Sequence, residues 1–151
     1  MQIITKSVEE TVKIGKMLGM NVTKGTTVCL TGDLGTGKTH FSKGFADGLG
    51  IKGTITSPTF TLINEYYDGR LPLFHFDVYR VHDEESVLDL GFEEYIYGNG
   101  VCLIEWADLI EGILPEEFIH VNIEKTYKED ERVITIKSVG GEIEWLKEMR
   151  N

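Results

Sequence analysis

The sequence predicts a single α/β domain over residues 1–151, with a mixed, mostly parallel sheet flanked by helices. Three observations predict it. A short apolar, β-branched run at residues 26–31 passes through a glycine-rich loop into a helical pattern. Further strand-like runs alternate with helical stretches along the rest of the chain. The 151 residues, 41% hydrophobic and 26% charged, suffice for one core, and no linker, repeat or low-complexity segment divides them.

Each element has its own signal. Ile3, Ile4 and Thr5 make a short first strand. Ser7 and Glu10 stand three apart, the capping-box pattern, so Ser7 opens a helix; Val12, Met17 and Leu18 give it an apolar side, and Gly19 marks its end. Residues 26–31, between Gly25 and Gly32, read as a buried strand. After Thr39, the residues Phe41, Phe45, Ala46 and Leu49 fall at helical spacing, and Gly48 and Gly50 close that helix. Residues 54–59 are a turn-rich crossing loop. Residues 60–67 are strand-like, Asp68 and Gly69 turn a hairpin, and residues 71–79 return. Residues 84–97 are helical around Val87, Leu88, Leu90 and Tyr95, with Gly91 as a point of interruption. The unbroken apolar run at 101–104 is the pattern of a strand buried on both faces. Residues 119–123 and 133–136 alternate as two late strands, and residues 142–150 form a short terminal helix.

The loop at 32–39, Gly-Asp-Leu-Gly-Thr-Gly-Lys-Thr, has the spacing G-x-x-x-x-G-K-[ST], a P-loop. Gly32, Gly35 and Gly37 permit backbone conformations that turn successive N–H groups toward phosphate oxygens. Lys38 places a compact cation on the β- and γ-phosphates, and Thr39 offers a hydroxyl to Mg²⁺. The helix that follows presents its free N–H groups and positive dipole end to the same anion. Asp33, Leu34, Gly35, Thr36, Gly37, Lys38, Thr39 and His40 are therefore the expected nucleotide-contacting stretch.

Hydrolysis needs acidic help as well. In P-loop proteins an acid at the end of a neighbouring strand holds the metal or orients it. Asp77 and Glu105 both fit, each closing an apolar run where a parallel strand would emerge beside the loop. Thr59, on the crossing loop, is a candidate switch residue whose hydroxyl could sense the γ-phosphate.

Absences and charge narrow the class. The only Gln is Gln2, which excludes a local glutamine that positions attacking water, and no Asn-Lys-x-Asp is present to read guanine, which favours ATP. Four Arg, at 70, 80, 132 and 150, make no arginine-rich lid, so the small-molecule kinase reading ranks below a slow ATPase that lacks an arginine finger of its own. A nucleotide-switched binding module is the other alternative. Residues 1–60 carry seven Lys and four acids, a balance of +3; residues 61–151 carry eight basic and twenty-one acidic residues, a balance of −13. A half that acidic repels a phosphate backbone, so tight direct gripping of nucleic acid is not expected; the charge serves either solubility alone or a face that meets a basic protein partner. No apolar run reaches the length of about eighteen residues that a membrane span needs, and the N-terminus lacks the apolar core of a signal peptide. Cys29 and Cys102 sit inside apolar runs, as buried free thiols would, and no Cys/His group has zinc spacing; both fit a cytoplasmic protein.

Taken in order, the P-loop, Ser-Pro-Thr-Phe-Thr-Leu at 57–62, His-Phe-Asp-Val-Tyr-Arg at 75–80 and Glu-Trp at 105–106 closely resemble the TsaE (YjeE-like) family. The resemblance spans nearly the whole chain, including the Thr-x-x-x-Gly-x-x-Leu-Gly stretch at 11–19. It implies a compact P-loop NTPase-like domain that binds ATP or ADP with Mg²⁺. It implies that Thr39 and Glu105 contact the metal, that Asp77 is the catalytic acid working with Lys38, and that Trp106 lies close to the nucleotide. Thr11 and Arg132 align with positions that touch the nucleotide. It further implies a role in threonylcarbamoyladenosine modification of tRNA, carried out with the proteins TsaD and TsaB.

Overall fold

The computed structural model describes residues 1–56, 58, 62–81 and 83–149; Thr59, the candidate switch residue, lies outside them. Seven strands form one sheet: β1 (Gln2–Thr5), β2 (Thr27–Thr31), β3 (Ile63–Tyr66), β4 (Leu73–Asp77), β5 (Val101–Glu105), β6 (Phe118–Lys125) and β7 (Arg132–Val139). Their spatial order is β1-β7-β6-β2-β5-β4-β3. The middle of the sheet, β6-β2-β5-β4, is parallel, and both edges are closed by antiparallel pairs. The central strands β2 and β5 are almost continuously apolar because both of their faces are covered, as parallel strands require.

Two long helices cover one face. These are α1 (Val8–Asn21) and α2 (Lys38–Gly48), which shut Leu18, Phe41 and Phe45 against Val28, Leu30, Leu103 and Val121. Ser7 caps α1 as its spacing predicts, its side chain accepting from the Glu10 N–H at 3.1 Å. The helix does not stop at Gly19. It runs to Asn21, and Gly19 is an interior residue that packs on α2. A Cβ at Gly15 or Gly19 would stand 2.3 or 2.1 Å from the backbone oxygen of Phe41 or Phe45; one at Gly44 or Gly48 would stand 2.0 or 2.2 Å from that of Val12 or Lys16. Each helix thus presents a Gly-x-x-x-Gly face that lets the two backbones touch.

Short helices cover part of the other face: α3 (Glu84–Leu88), α4 (Phe92–Ile96) and a 3-10 helix (Ala107–Ile113), packed on Cys29, Phe76, Cys102 and Ile104. Gly91, at φ +82°, is the break between α3 and α4 that the sequence marks. The returning strand is shorter than the 71–79 run, ending at Asp77, because the backbone leaves the sheet there to form the site. The terminal helix α5 (Glu144–Glu148) is likewise shorter than expected, and the 3-10 helix carries no strong signal in the sequence. Among the described residues, no helix is long and apolar enough to cross a membrane.

Candidate functional site

The loop between β2 and α2 adopts the conformation its glycines allow. Gly32, Gly35 and Gly37 have φ of +143°, +78° and +105°. At Gly32 a Cβ would also meet the Ile123 oxygen at 2.4 Å, so no other residue fits there. Lys38 is the first residue of α2, and Thr39 follows it at the helix N-terminus, where backbone N–H groups have no helical partner.

Lys38 is 6% exposed. Its Nζ donates to the carbonyls of Gly32 (2.5 Å) and Asp33 (2.8 Å) and lies 4.0 Å from the centroid of the Trp106 ring. Burial pushes its pKa below the usual lysine value, opposed by the negative charges of Glu105, Asp33, Asp108 and Asp77. Trp106 is held for this role by two features. Its backbone is left-handed, at φ +63°, and its ring packs at a tilt against Tyr79 with centroids 4.6 Å apart. A left-handed tryptophan is uncommon, and strain of this kind concentrates at functional sites.

Parallel register brings the two acids together. Asp77 and Glu105 are directly paired residues at the ends of β4 and β5, and Leu30 of β2 pairs with Glu105, so both carboxylates emerge beside the loop. Asp77 Oδ1 accepts from the Tyr79 N–H at 3.0 Å. Glu105 is 3% exposed, and its Oε2 accepts from Ser42 of α2 at 3.3 Å and from His75 at 2.5 Å.

These residues line one open cleft of about 480 Å³. Of the residues singled out in the sequence, the cleft contains Thr11, Leu34, Gly35, Thr36, Gly37, Lys38, Thr39, His40, Asp77, Glu105, Trp106 and Arg132. Asp33 does not line it. The Asp33 side lies on a neighbouring pocket with Thr31, His120 and Lys137, and its part in the cleft is the carbonyl that receives Lys38. Arg132 reaches the loop from β7, its Nε donating to Thr36 O at 2.9 Å while Nη1 bonds Glu129 O and Glu131 O, each at 2.9 Å. Thr36 in turn closes the loop on Asp33 O at 2.9 Å.

Sequence reasoning gave no place in the site to Ser7, Val8, Tyr79, Arg80 and Asp130, all of which line the cleft. Tyr79 and Arg80 had a signal in the same segment as Asp77. Ser7 was read only as a helix cap and Val8 not at all, because their place in the cleft depends on how α1 packs beside the loop. Lys125 also went unread; its Nζ would lie 3.2 Å from a Cβ on Gly35.

The donor set suits Mg²⁺. The Thr39 hydroxyl and the carboxylates of Asp77 and Glu105 are hard oxygen donors in one cleft. Among the described residues, no group of three or more His, Cys, Asp or Glu could hold a metal unaided. Mg²⁺ commonly binds through one or two carboxylates together with phosphate oxygens and water.

Comparison with known proteins identifies the family. Residues 5–134 match the family model for "Threonylcarbamoyl adenosine biosynthesis protein TsaE". The chain is 51% identical over 144 residues to the tRNA threonylcarbamoyladenosine biosynthesis protein TsaE of Bacillus subtilis, covering 95% of this chain and 89% of that one. It is 42% identical over 136 residues to the Treponema pallidum protein of the same name, covering 90% and 99%. The crystal structure of Bacillus subtilis YdiB superposes with a TM-score of 0.81 at 45% identity, covering 93% of this chain and 86% of that one. With a family model over most of its length and relatives this similar, the chain belongs to the TsaE family of tRNA threonylcarbamoyladenosine biosynthesis proteins.

Proposed function

We propose that this chain is a Mg²⁺-dependent ATPase that acts in threonylcarbamoyladenosine formation on tRNA together with the TsaD and TsaB proteins. One observation carries the reading: Lys38, Thr39, Asp77 and Glu105, drawn from three separate elements, line the same cleft around the loop. Thr39 and Glu105 would hold Mg²⁺, which supplies charge neutralisation on the β- and γ-phosphate oxygens. The loop amides bind the phosphates, and Lys38 stabilises the charge on the γ-phosphoryl group as it transfers. Asp77 accepts a hydrogen bond from the attacking water and orients it in line. Trp106 and Tyr79 wall the cleft and exclude bulk water from Lys38. The acidic balance of residues 61–151 supports action through protein partners rather than through a direct grip on tRNA. The buried thiols of Cys29 and Cys102 and the bacterial tRNA pathway of the relatives support a cytoplasmic location.

Two measurements test this. Calorimetric titration with ADP in Mg²⁺ should show binding that Lys38→Ala lowers by about 100-fold or more, since the variant loses a hydrogen-bonded charge on phosphate. Unchanged affinity would remove the loop from the nucleotide site. ATP hydrolysis should rise when purified TsaD and TsaB are added, and Asp77→Ala should abolish that rise while still binding ADP. A stimulated rate equal to wild type in Asp77→Ala would make Asp77 structural.

A further inference from the structure

His75 occupies a position that strand geometry reserves for the core. Along β4, Leu73, His75 and Asp77 point toward the α2 face, whereas Phe74 and Phe76 point to the other. Leu73 joins the apolar core beneath α1 and α2, and His75, next in the same row, is only 2% exposed. An apolar side chain would fill this place without difficulty. The imidazole instead buries two polar nitrogens and satisfies one of them. Nε2 lies 2.5 Å from Glu105 Oε2, while Nδ1 is fully buried and has no hydrogen-bond partner among the described residues. With no acceptor at Nδ1 among the described residues and a carboxylate at Nε2, the arrangement is satisfied by the tautomer that carries its proton on Nε2 and donates it to Glu105. Packing therefore does not account for the residue; its one polar contact does.

That contact acts on a side chain with a choice of partners. Glu105 is the carboxylate that most strongly stabilises the Lys38 ammonium, and a carboxylate free to rotate would turn toward that cation. Among the described residues its side-chain hydrogen bonds fall on Oε2, a short one from His75 and a longer one from the Ser42 hydroxyl, whose proton is shared with Lys38 O at 3.0 Å. Glu105 lines the cleft, and among the described residues no hydrogen bond is made to its Oε1.

We propose that His75 is a positioning residue for the metal-binding carboxylate. Its Nε2–H pins Oε2 of Glu105 from behind, presents Oε1 to the Mg²⁺ ion and keeps the carboxylate from closing on Lys38. The proposal rests on the reading of Glu105 as a Mg²⁺ ligand. It predicts that His75 governs how Mg²⁺ tightens nucleotide binding while leaving metal-free nucleotide binding alone.

The experiment is calorimetric titration of ADP into wild type, His75→Leu, His75→Gln and Glu105→Gln, each across a series of Mg²⁺ concentrations and in EDTA. In His75→Leu the Mg²⁺ concentration that gives half of the tightening should rise about tenfold or more, the usual consequence of losing a group that orients a metal ligand. Its affinity for ADP in EDTA should stay at the wild-type value, a result that a misfolded or merely destabilised protein would not give. His75→Gln, whose amide nitrogen reaches the place of Nε2, should restore the wild-type Mg²⁺ response. If His75→Leu does not fold, His75→Asn takes its place, because its shorter amide puts no donor at Glu105. A wild-type Mg²⁺ response in the donor-lacking variant, with Glu105→Gln impaired, overturns the role of His75 alone. A wild-type response in Glu105→Gln overturns the metal reading of Glu105 and this proposal with it. Independently of any variant, the ¹⁵N spectrum of the wild-type ring should show the Nε2–H tautomer, and an Nδ1–H tautomer overturns the proposal.

Discussion

Replacing Gly19 with alanine tests whether α1 and α2 meet through their backbones. The two possible effects have opposite sign. Gly19 lies inside α1, away from any left-handed position, so on propensity alone alanine would stabilise the helix by about 1 kcal/mol. Against this, the new Cβ would stand 2.1 Å from the Phe45 oxygen, 3.0 Å from the Phe45 carbonyl carbon and 3.2 Å from the Gly48 Cα. All three atoms are backbone, so no rotamer relieves the contact; the helices must part by about 1 Å to reach ordinary van der Waals separation. Overpacking of a rigid core costs about 1–3 kcal/mol, and a backbone clash belongs at the upper end. The net expectation is a loss of about 1–2 kcal/mol. With a urea m-value of about 2 kcal/mol/M, the midpoint falls by about 0.5–1 M. Urea unfolding followed by far-UV circular dichroism gives the number. A midpoint that rises would show that propensity wins and that the close approach of the helices is not as tight as described. The same variant should weaken ADP binding, because α1 carries Thr11 and α2 carries Lys38 and Thr39 into one cleft.

The remaining predictions concern Trp106 and the thiols. Phosphate binding draws the Lys38 ammonium away from the Trp106 ring, so Mg²⁺-ADP should change tryptophan emission in wild type and in Trp145→Phe but not in Trp106→Phe; a change that persists in Trp106→Phe removes the ring from the site. Burial holds the Cys102 thiol up at about 12 and that of Cys29 higher still, from an ordinary 9.0. Well below pH 9.0 both groups are neutral whether folded or not, and as pH rises through that value they ionise in the unfolded chain but not in the folded one. Stability should therefore fall with a slope that approaches about 1.4 kcal/mol per pH unit for each thiol once pH is about one unit above that value. Urea midpoints from pH 8 to pH 10.5 should show this slope in wild type and a shallower one in the Cys29→Ala/Cys102→Ala protein, and equal slopes would exclude the thiols as its source.

What the sequence made legible was local. Strand, glycine-rich loop and helix at 26–49 could be read because each part has its own chemistry within a few residues. Asp77 and Glu105 could be read because each closes an apolar run, and parallel pairing does the rest. What was not legible required a partner distant in sequence. Gly19 resembles a helix terminus to any local rule, and only the Phe45 carbonyl across the helix pair shows why it is glycine. His75 reads as one more residue in a strand; its meaning lies in a carboxylate thirty positions on. Arg132 was legible only through the family resemblance; its route to the cleft lies in β7, which pairs it opposite Thr5 on one side and Lys125 on the other and so joins distant parts of the chain.

The charge of the cleft bears on how it would hold a nucleotide. Among the described residues Lys38, Arg80 and Arg132 line it, and so do Asp77, Glu105 and Asp130, so three cations meet three carboxylates and their formal sum is zero. Two of the cations have already committed donors to the chain's own carbonyls, Lys38 to Gly32 and Asp33 and Arg132 to Thr36. A polyphosphate therefore gains little from the overall field of the site and must be held by aimed groups: the loop amides, the free N–H groups of α2 and the remaining donor of Lys38. The amides serve the phosphates nearest the loop, and of these groups Lys38 alone extends to the γ-phosphate. The phosphate farthest along would come toward Asp77 and Glu105, which repel it unless a divalent cation stands between. On the proposed reading, then, the paired carboxylates make the metal a condition of triphosphate binding rather than an aid to it. The hydrogen bonds that aim Glu105 then help to decide whether ATP is held in a reactive position at all.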